Sequence, residues 1–412
     1  MKPTFDVAFA RRHFPPLRNG WAFFENAGGT YVPESVIGRT EAYMRECQVQ
    51  PAWNFGPSAD AAARIAEGRR TMASVINAEP DEIYIGPSTT MNVYLLAQAI
   101  RSWFQPGDEL IVTEQDHEAN VGAWRRLAEF GVAIREWRID PKTGALAMKD
   151  LDALLGPKTK HVAMTHCSNV IGIVHDIPAI AARVHAVGAN LMVDGVAFAP
   201  HFAIDVKALD VDFYGFSAYK LFGPHVAGLY GKREHFLRAK AQNHFFIGED
   251  EIPLKLLPGG INHEFGAGLV GVADYFEALD AHHFDQPANS LHAKVTRVYE
   301  LAAAHEKKLG DRVDAFLRSR PGVQVYGRLP TTDGRLSPNI AFRVPARSSK
   351  AIAEALYRDR IAVGFGDFYA ARCIKGLGLT AEDGVVRIGI AHYNDDADVD
   401  RLLAALDREL PR

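Results

Sequence analysis

Cysteine is scarce in this chain: Cys47, Cys167 and Cys373 are the whole complement in 412 residues. Thiols so few and so scattered make neither a disulfide framework nor a Cys-x-x-Cys metal site, so each reads first as a small buried side chain and no metal is expected. An excess of either charge is lacking too. Lys and Arg number 46 against 50 Asp and Glu, a formal net charge of −4 with no long basic run, which argues against a nucleic-acid partner. No eighteen apolar residues run uninterrupted, and the first dozen residues carry charges where a secretory peptide needs an apolar core. No membrane partner is expected, and the cytoplasm is the expected location. Internal repeats and low-complexity tracts are also missing. What is present, 48% hydrophobic and 23% charged residues, suits a globular chain with one large domain and a smaller companion.

From about residue 75 to 235, short β-rich apolar runs alternate with helical patterns, which argues for an α/β fold with a mostly parallel sheet covered by helices on both faces. Strands are expected at 82–85, 109–112, 132–135, 161–164, 191–193 and 213–216. One helix is readable in detail: Asp176 as N-cap, Pro178 in the first turn, Ile177, Ile180, Val184 and Val187 on one face, and Gly188 as its end. The next strand then starts near Ala189 and delivers Asp194 at its C-terminal end. From 270 to 320 the pattern is long and helical. Beyond Pro321-Gly322, short strands at 323–326, 339–344 and 385–390 alternate with helices, ending in a helix with Asp395, Asp396 and Asp398 at its N-terminus. The expected division is an N-terminal arm (1–20), a large domain (21–275) whose first segment reaches toward the small domain or the substrate entrance, and a helical connection with a C-terminal α+β domain (276–412).

The chemistry is concentrated in two stretches, Val193-Asp194-Gly195-Val196-Ala197-Phe198-Ala199-Pro200-His201 and Asp212-Phe213-Tyr214-Gly215-Phe216-Ser217-Ala218-Tyr219-Lys220-Leu221-Phe222-Gly223-Pro224. A carboxylate leaving one strand and a lysine just beyond the next converge at the strand ends, where open α/β sheets place their ligands. That pair suits pyridoxal 5′-phosphate (PLP): the lysine forms a Schiff base with the aldehyde, and the anionic Asp keeps the ring nitrogen protonated. Taken singly, either residue reads as a helix cap or a surface charge.

Together these segments resemble the class V aminotransferase family of fold-type-I PLP enzymes, and within it the cysteine desulfurase-like branch. The resemblance runs from Asn26-Ala27-Gly28-Gly29 to Tyr393-Asn394. It implies a large domain built on a sheet of the seven-stranded type, PLP held by Lys220 and Asp194, and a homodimer with shared active sites. It also implies roles for single residues. Ser88, Thr89 and Thr90, before a helix, and Ser217 match phosphate ligands. His117 matches a histidine stacked on the PLP ring that relays protons. Asn169 matches an asparagine reaching the cofactor's phenolic oxygen or the substrate. Arg387 matches the arginine that grips the substrate α-carboxylate, for which a planar two-pronged donor is the natural partner. Asn26 falls among the substrate-selecting positions. Lys220, His117 and Asp194 form the catalytic group.

The chain also departs from that family. Its branch carries a nucleophilic cysteine on a loop that here reads Gly364-Phe365-Gly366-Asp367-Phe368-Tyr369. Cys373 comes about four residues later, at what reads as the start of a helix, and would reach the site only if the loop were displaced. A glutamine near the PLP oxygen is Ala197, the histidine before the lysine is Tyr219, and Ala267 stands about where a phosphate-binding threonine is usual. The expected activity is C–S or C–Se cleavage or β-elimination on a small amino acid. An isopenicillin-N-epimerase-like epimerase and an aminotransferase remain open, as does a non-catalytic binding protein of the same fold.

Overall fold

The computed structural model describes residues 3–411; the ends of the expected N-terminal arm and C-terminal domain, residues 1, 2 and 412, lie outside the described residues, as does the Pro253 side chain. The strands, in chain order, are β1 (Ala22–Phe23), β2 (Ile83–Gly86), β3 (Glu109–Thr113), β4 (Ala133–Trp137), β5 (Thr159–Thr165), β6 (Asn190–Asp194), β7 (Phe213–Ser217), β8 (Ala227–Gly231), β9 (Gln324–Tyr326), β10 (Asn339–Arg343), β11 (Ile361–Ala362), β12 (Gly364–Gly366) and β13 (Val385–Gly389).

β2 to β8 form a seven-stranded sheet in the order β2-β8-β7-β6-β5-β3-β4. Its pairings are parallel except those of β8, which runs antiparallel to β2 and β7. The central strands are buried on both faces and read as near-continuous apolar runs, as parallel strands under two helical layers must. One core cluster, with Ile111, Val162, Val193, Tyr214 and Phe216, fills one face, while another, with Leu110, Val112, Ala163, Met192 and Phe213, fills the opposite face. The period-2 alternation of side chains along each strand divides these residues between the two cores.

The helix expected after Asp176 spans Ile177–Ala186. The Asp176 carboxylate accepts the Ala179 N–H, and Gly188 adopts a left-handed φ of 75°. Capping satisfies an otherwise orphaned donor, and the glycine turn aims β6 back into the sheet. Sequence reading missed the short β1, β11 and β12 of the C-terminal unit; in the seven-stranded sheet the strand that it missed is β8. Its letters, Ala-Gly-Leu-Tyr-Gly, hold few β-branched residues, but a Cβ at Gly228 would lie 2.2 Å from the Phe216 ring, so close packing against β7 demands glycine there.

The C-terminal unit has a four-stranded antiparallel sheet, β12-β13-β10-β9, and a parallel pair, β1-β11. β1 therefore belongs with this unit although it lies near the N-terminus. The expected division at 275/276 also needs correction. It falls inside the helix Val270–His283, whose buried side chains Val272, Tyr275, Phe276 and Leu279 pack in the large core on both sides of that point. Among the described residues no helix is long and apolar enough to cross a membrane.

Candidate active site

β2, β3, β5, β6 and β7 all point their C-terminal ends to one edge of the sheet, and the chain leaving each contributes to a single cleft. Ser88, Thr89, Thr90, His117, Asn169, Asp194, Ser217 and Lys220 all line it, together with Ala119, Thr165, Cys167, Val196, Ala197 and Tyr219. Residues up to 132 positions apart in sequence thus share one cavity because parallel strands deliver their ends to the same side.

Asp194 closes β6. Its Oδ1 accepts the Val196 N–H at 2.8 Å, and burial pushes its pKa up to about 6 against the pull of that bond and of the Lys220 charge. Gly195 has to follow it, since a Cβ there would meet the Tyr214 side chain at 2.0 Å. Lys220, only 6% exposed, has its pKa lowered to about 8, first by burial and then by the Arg387 charge. Among the described residues none hydrogen-bonds its Nζ. A buried amine with a depressed pKa is the form of lysine that attacks carbonyl carbon near neutrality.

Ser88 caps the helix Thr89–Ala99, its Oγ accepting the Met91 N–H at 3.1 Å. Thr89 Oγ1 and Ser217 Oγ lie 2.8 Å apart, both buried. Free backbone N–H groups of a helix start beside two hydroxyls make an anion cradle. His117 opens the turn Glu118–Asn120. Its Nδ1 accepts the Ala119 N–H at 3.0 Å, which leaves the proton on Nε2, and burial lowers its pKa to about 4. The ring is therefore neutral at pH 7.

Two acidic groups near the cleft, Asp116 buried and Glu25 partly exposed, escaped the sequence reading. Asp116 bonds Thr113 and accepts the Asn120 Nδ2–H at 2.8 Å, and burial, with Asp194 adding to it, pushes its pKa up to about 8. It is thus neutral beside Asp194, which removes like-charge repulsion. Glu25 binds Arg387 Nη2 through both oxygens, at 2.8 and 3.0 Å. Charge and polarity flagged neither, since each becomes informative only through a partner distant in sequence or through burial.

Arg387, on β13, is buried. Its Nη1 donates to the Asn169 carbonyl at 2.8 Å, and the Phe368 ring covers its guanidinium at 3.7 Å. Asn169 donates from Nδ2 to the Phe368 carbonyl at 2.9 Å, while its Oδ1 is buried without a partner. Asn26 does not join them. It is fully buried, donating to Phe23 O, Gly389 O and Asn394 Oδ1 and accepting from the Tyr393 hydroxyl, so its amide is consumed in holding β1 against β13 and the expectation that it contacts substrate is corrected. Cys373 sits in the helix Ala371–Gly376, buried, with its thiol pushed up to about 12 by burial. Tyr219 stacks on His225 with ring centroids 4.8 Å apart.

These residues fit PLP. The unbonded Lys220 amine suits its aldehyde, Asp194 its ring nitrogen, the Ser88-Thr89-Ser217 cradle its phosphate, and the orphaned Asn169 Oδ1 a hydroxyl donor. The family model described as Aminotransferase class-V matches residues 22–402. The aminotransferase-like protein FGM3 of Gibberella zeae is 36% identical over 99% of both chains. The cysteine desulfurase-like protein ustD of Aspergillus flavus is 33% identical over 100% of this chain and 92% of its own. Among solved structures, the cysteine desulfurase CsdA of Escherichia coli superimposes with a TM-score of 0.83 at 26% identity, over 98% of each chain. With that match and that cleft, the chain belongs to the aminotransferase class-V family and is a PLP-dependent enzyme of the cysteine desulfurase-like kind.

Proposed function

We propose that this enzyme breaks the bond between Cβ and a sulfur or selenium substituent of a small α-amino acid and releases the leaving group to solvent, without passing it to a thiol of the protein. The observation that carries the second half is the state of the cysteines: all are buried. Burial holds the Cys167 and Cys373 thiols near 12, and the Cys47 thiol is raised for the same reason. The thiolate is the nucleophile, and none of these sites favours it. Cys167 does line the cleft, but as a neutral thiol whose Sγ leans toward the Ser168 carbonyl at 3.8 Å.

PLP, when bound, supplies the electron sink that lets a Cα proton and then a Cβ substituent depart. The chain's own groups do the rest. Lys220 would hold the cofactor through its Nζ and, near its pKa of about 8, take the proton from substrate Cα. Asp194 would keep the proton on the ring nitrogen, since a cation arriving beside it offsets the burial that now raises its pKa. Ser88, Thr89, Thr90 and Ser217 would bind the phosphate, and the neutral His117 ring would cover the cofactor face without adding charge. Arg387 would orient the substrate carboxylate, with Asn169 beside it, fixing which Cα bond is broken. For L-cysteine the balanced reaction is cysteine plus water giving pyruvate, ammonia and hydrogen sulfide.

The proposal includes a cytoplasmic homodimer with shared sites. Trp53, Phe55, Phe245 and Phe246 are large apolar side chains left exposed on the single chain, as expected of surface that a second copy covers.

The test is a product balance on PLP-loaded protein given L-cysteine, with absorbance followed throughout. Pyruvate and sulfide in equal amounts support the proposal. Alanine together with protein-bound persulfide that disappears in Cys373→Ser overturns it. Keto-acid release with a pyridoxamine spectrum would reassign the enzyme as an aminotransferase, and Cα inversion without Cβ cleavage as an epimerase.

A further inference from the structure

The guanidinium of Arg387 is almost fully engaged. Nη1 donates to the Asn169 carbonyl, a backbone atom with little freedom to leave, and the Phe368 ring centroid lies 3.7 Å from Cζ. Phe368 and Tyr369 both hold left-handed φ angles, 53° and 57°, which residues with large side chains rarely adopt, so this loop is held in place over the arginine at a cost. Nη2 donates to both oxygens of Glu25, and Nε is buried with no partner. The edge formed by Nε with Nη2 is where a carboxylate seeking two parallel N–H groups finds an unpartnered donor, and Glu25 occupies half of it.

We infer that Glu25 is a resident counter-ion of the substrate clamp: the incoming α-carboxylate displaces it from Arg387, and the exchange sets how tightly amino acids bind. This rests on the reading of Arg387 as the carboxylate partner. Two carboxylates on one buried guanidinium would repel each other, so one leaves. Glu25 is the partner able to move, because its side chain is 28% exposed while that of Arg387 is 3% exposed. It gives up the Gly28 N–H, which its Oε2 accepts at 3.0 Å, and swings to water. An amine without a carboxylate has nothing to offer Arg387 and leaves the pair closed, so the cost of the exchange falls on amino acids alone.

The experiment is an equilibrium absorbance titration of the PLP-loaded wild type, Glu25→Gln, Glu25→Asp and Arg387→Gln with L-alanine, which carries no leaving group, and with ethylamine. Glu25→Gln should tighten L-alanine roughly tenfold, about 1.4 kcal/mol, and leave ethylamine within about twofold. Glu25→Asp, which keeps the charge but falls short of Nη2, should tighten L-alanine by a smaller factor; it decides the matter should Glu25→Gln not fold. L-Alanine binding that is unchanged or weaker in the folded Glu25 variants overturns the inference and makes Glu25 a purely structural partner of Arg387. Arg387→Gln separates the two levels. If it binds L-alanine as tightly as wild type, the carboxylate reading of Arg387 fails and the inference with it; if it weakens L-alanine while Glu25→Gln does not tighten it, only the inference fails.

Discussion

Asp194, the last residue of β6, and Asp212, just ahead of the neighbouring strand β7, are both about 4% exposed and differ in everything that matters for chemistry. Asp212, just before β7 begins, is saturated. It accepts from the Leu191 N–H at 2.7 Å, His185 Nε2 at 2.8 Å and His235 Nε2 at 2.7 Å, with Lys232 at 3.5 Å. These bonds overcome burial and hold it well below the usual carboxylate range. Asp194, at the other end of β6, has the single Val196 N–H, and burial wins, raising it to about 6. At the N-terminal edge of the sheet the Asp212 carboxylate is closed by its own hydrogen bonds. The C-terminal edge is left with an unsatisfied carboxylate, an unbonded lysine and an orphaned amide oxygen. A buried polar group without partners is costly for stability and is kept where a ligand completes it.

The sharpest way to break that contrast is at the lysine. Lys220→Ala should abolish the visible absorbance of lysine-bound PLP and lower turnover by about 10³-fold or more, while leaving the far-UV spectrum unchanged. Next is the aspartate pair itself. Asp194→Asn should cut turnover by about 10³-fold with a melting temperature equal to or above wild type, because it removes a poorly satisfied buried charge. Asp212→Asn should do the reverse, keeping turnover within about threefold but costing about 3 kcal/mol in denaturant unfolding, since two histidines and a lysine lose their counter-charge.

The two aspartates should also pull stability in opposite directions with pH. Asp194 in the apoprotein binds its proton more tightly folded than unfolded, so its contribution rises as pH falls from above 6 toward 4, by about 3 kcal/mol at most. Asp212 is depressed, so its contribution is intact above the ordinary carboxylate value and lost as pH drops below it. Urea titrations of the apoprotein and the two Asn variants across pH 3–8 resolve both slopes. A smaller effect concerns Lys220. PLP capture by the apoprotein should accelerate as pH rises through about 8, where the amine loses its proton, a midpoint readable from absorbance growth. The smallest is Cys373→Ser, which should change sulfide release by less than about twofold.

Much of the C-terminal edge was readable in the sequence because its residues come in short local motifs. The strand ending in Asp-Gly on one side and Ser-x-x-Lys on the other stand within a few residues each and resemble the class V family's pattern, and the Cys373 stretch reads as helical from its local letters. The reading failed where local letters mislead. β8 is glycine-rich because the Phe216 ring crowds it, not because it is a loop. Asn26 was placed among the substrate-selecting positions by the family resemblance alone; the packing of β1 against β13 buries it instead.

The sequence by itself determined the alternation that makes the parallel sheet, the strand ends that carry Asp194 and Lys220, and thereby the cofactor they suit. Periodicity and capping act over a single element, so one chain of letters encodes them. Only the tertiary structure decided that Arg387 already holds a carboxylate, that Asp116 lies neutral beside Asp194, and that every thiol is buried. Those outcomes depend on desolvation and on pairs as distant as Glu25 and Arg387, 362 residues apart, whose encounter exists only once the segment after β1 has packed against β13.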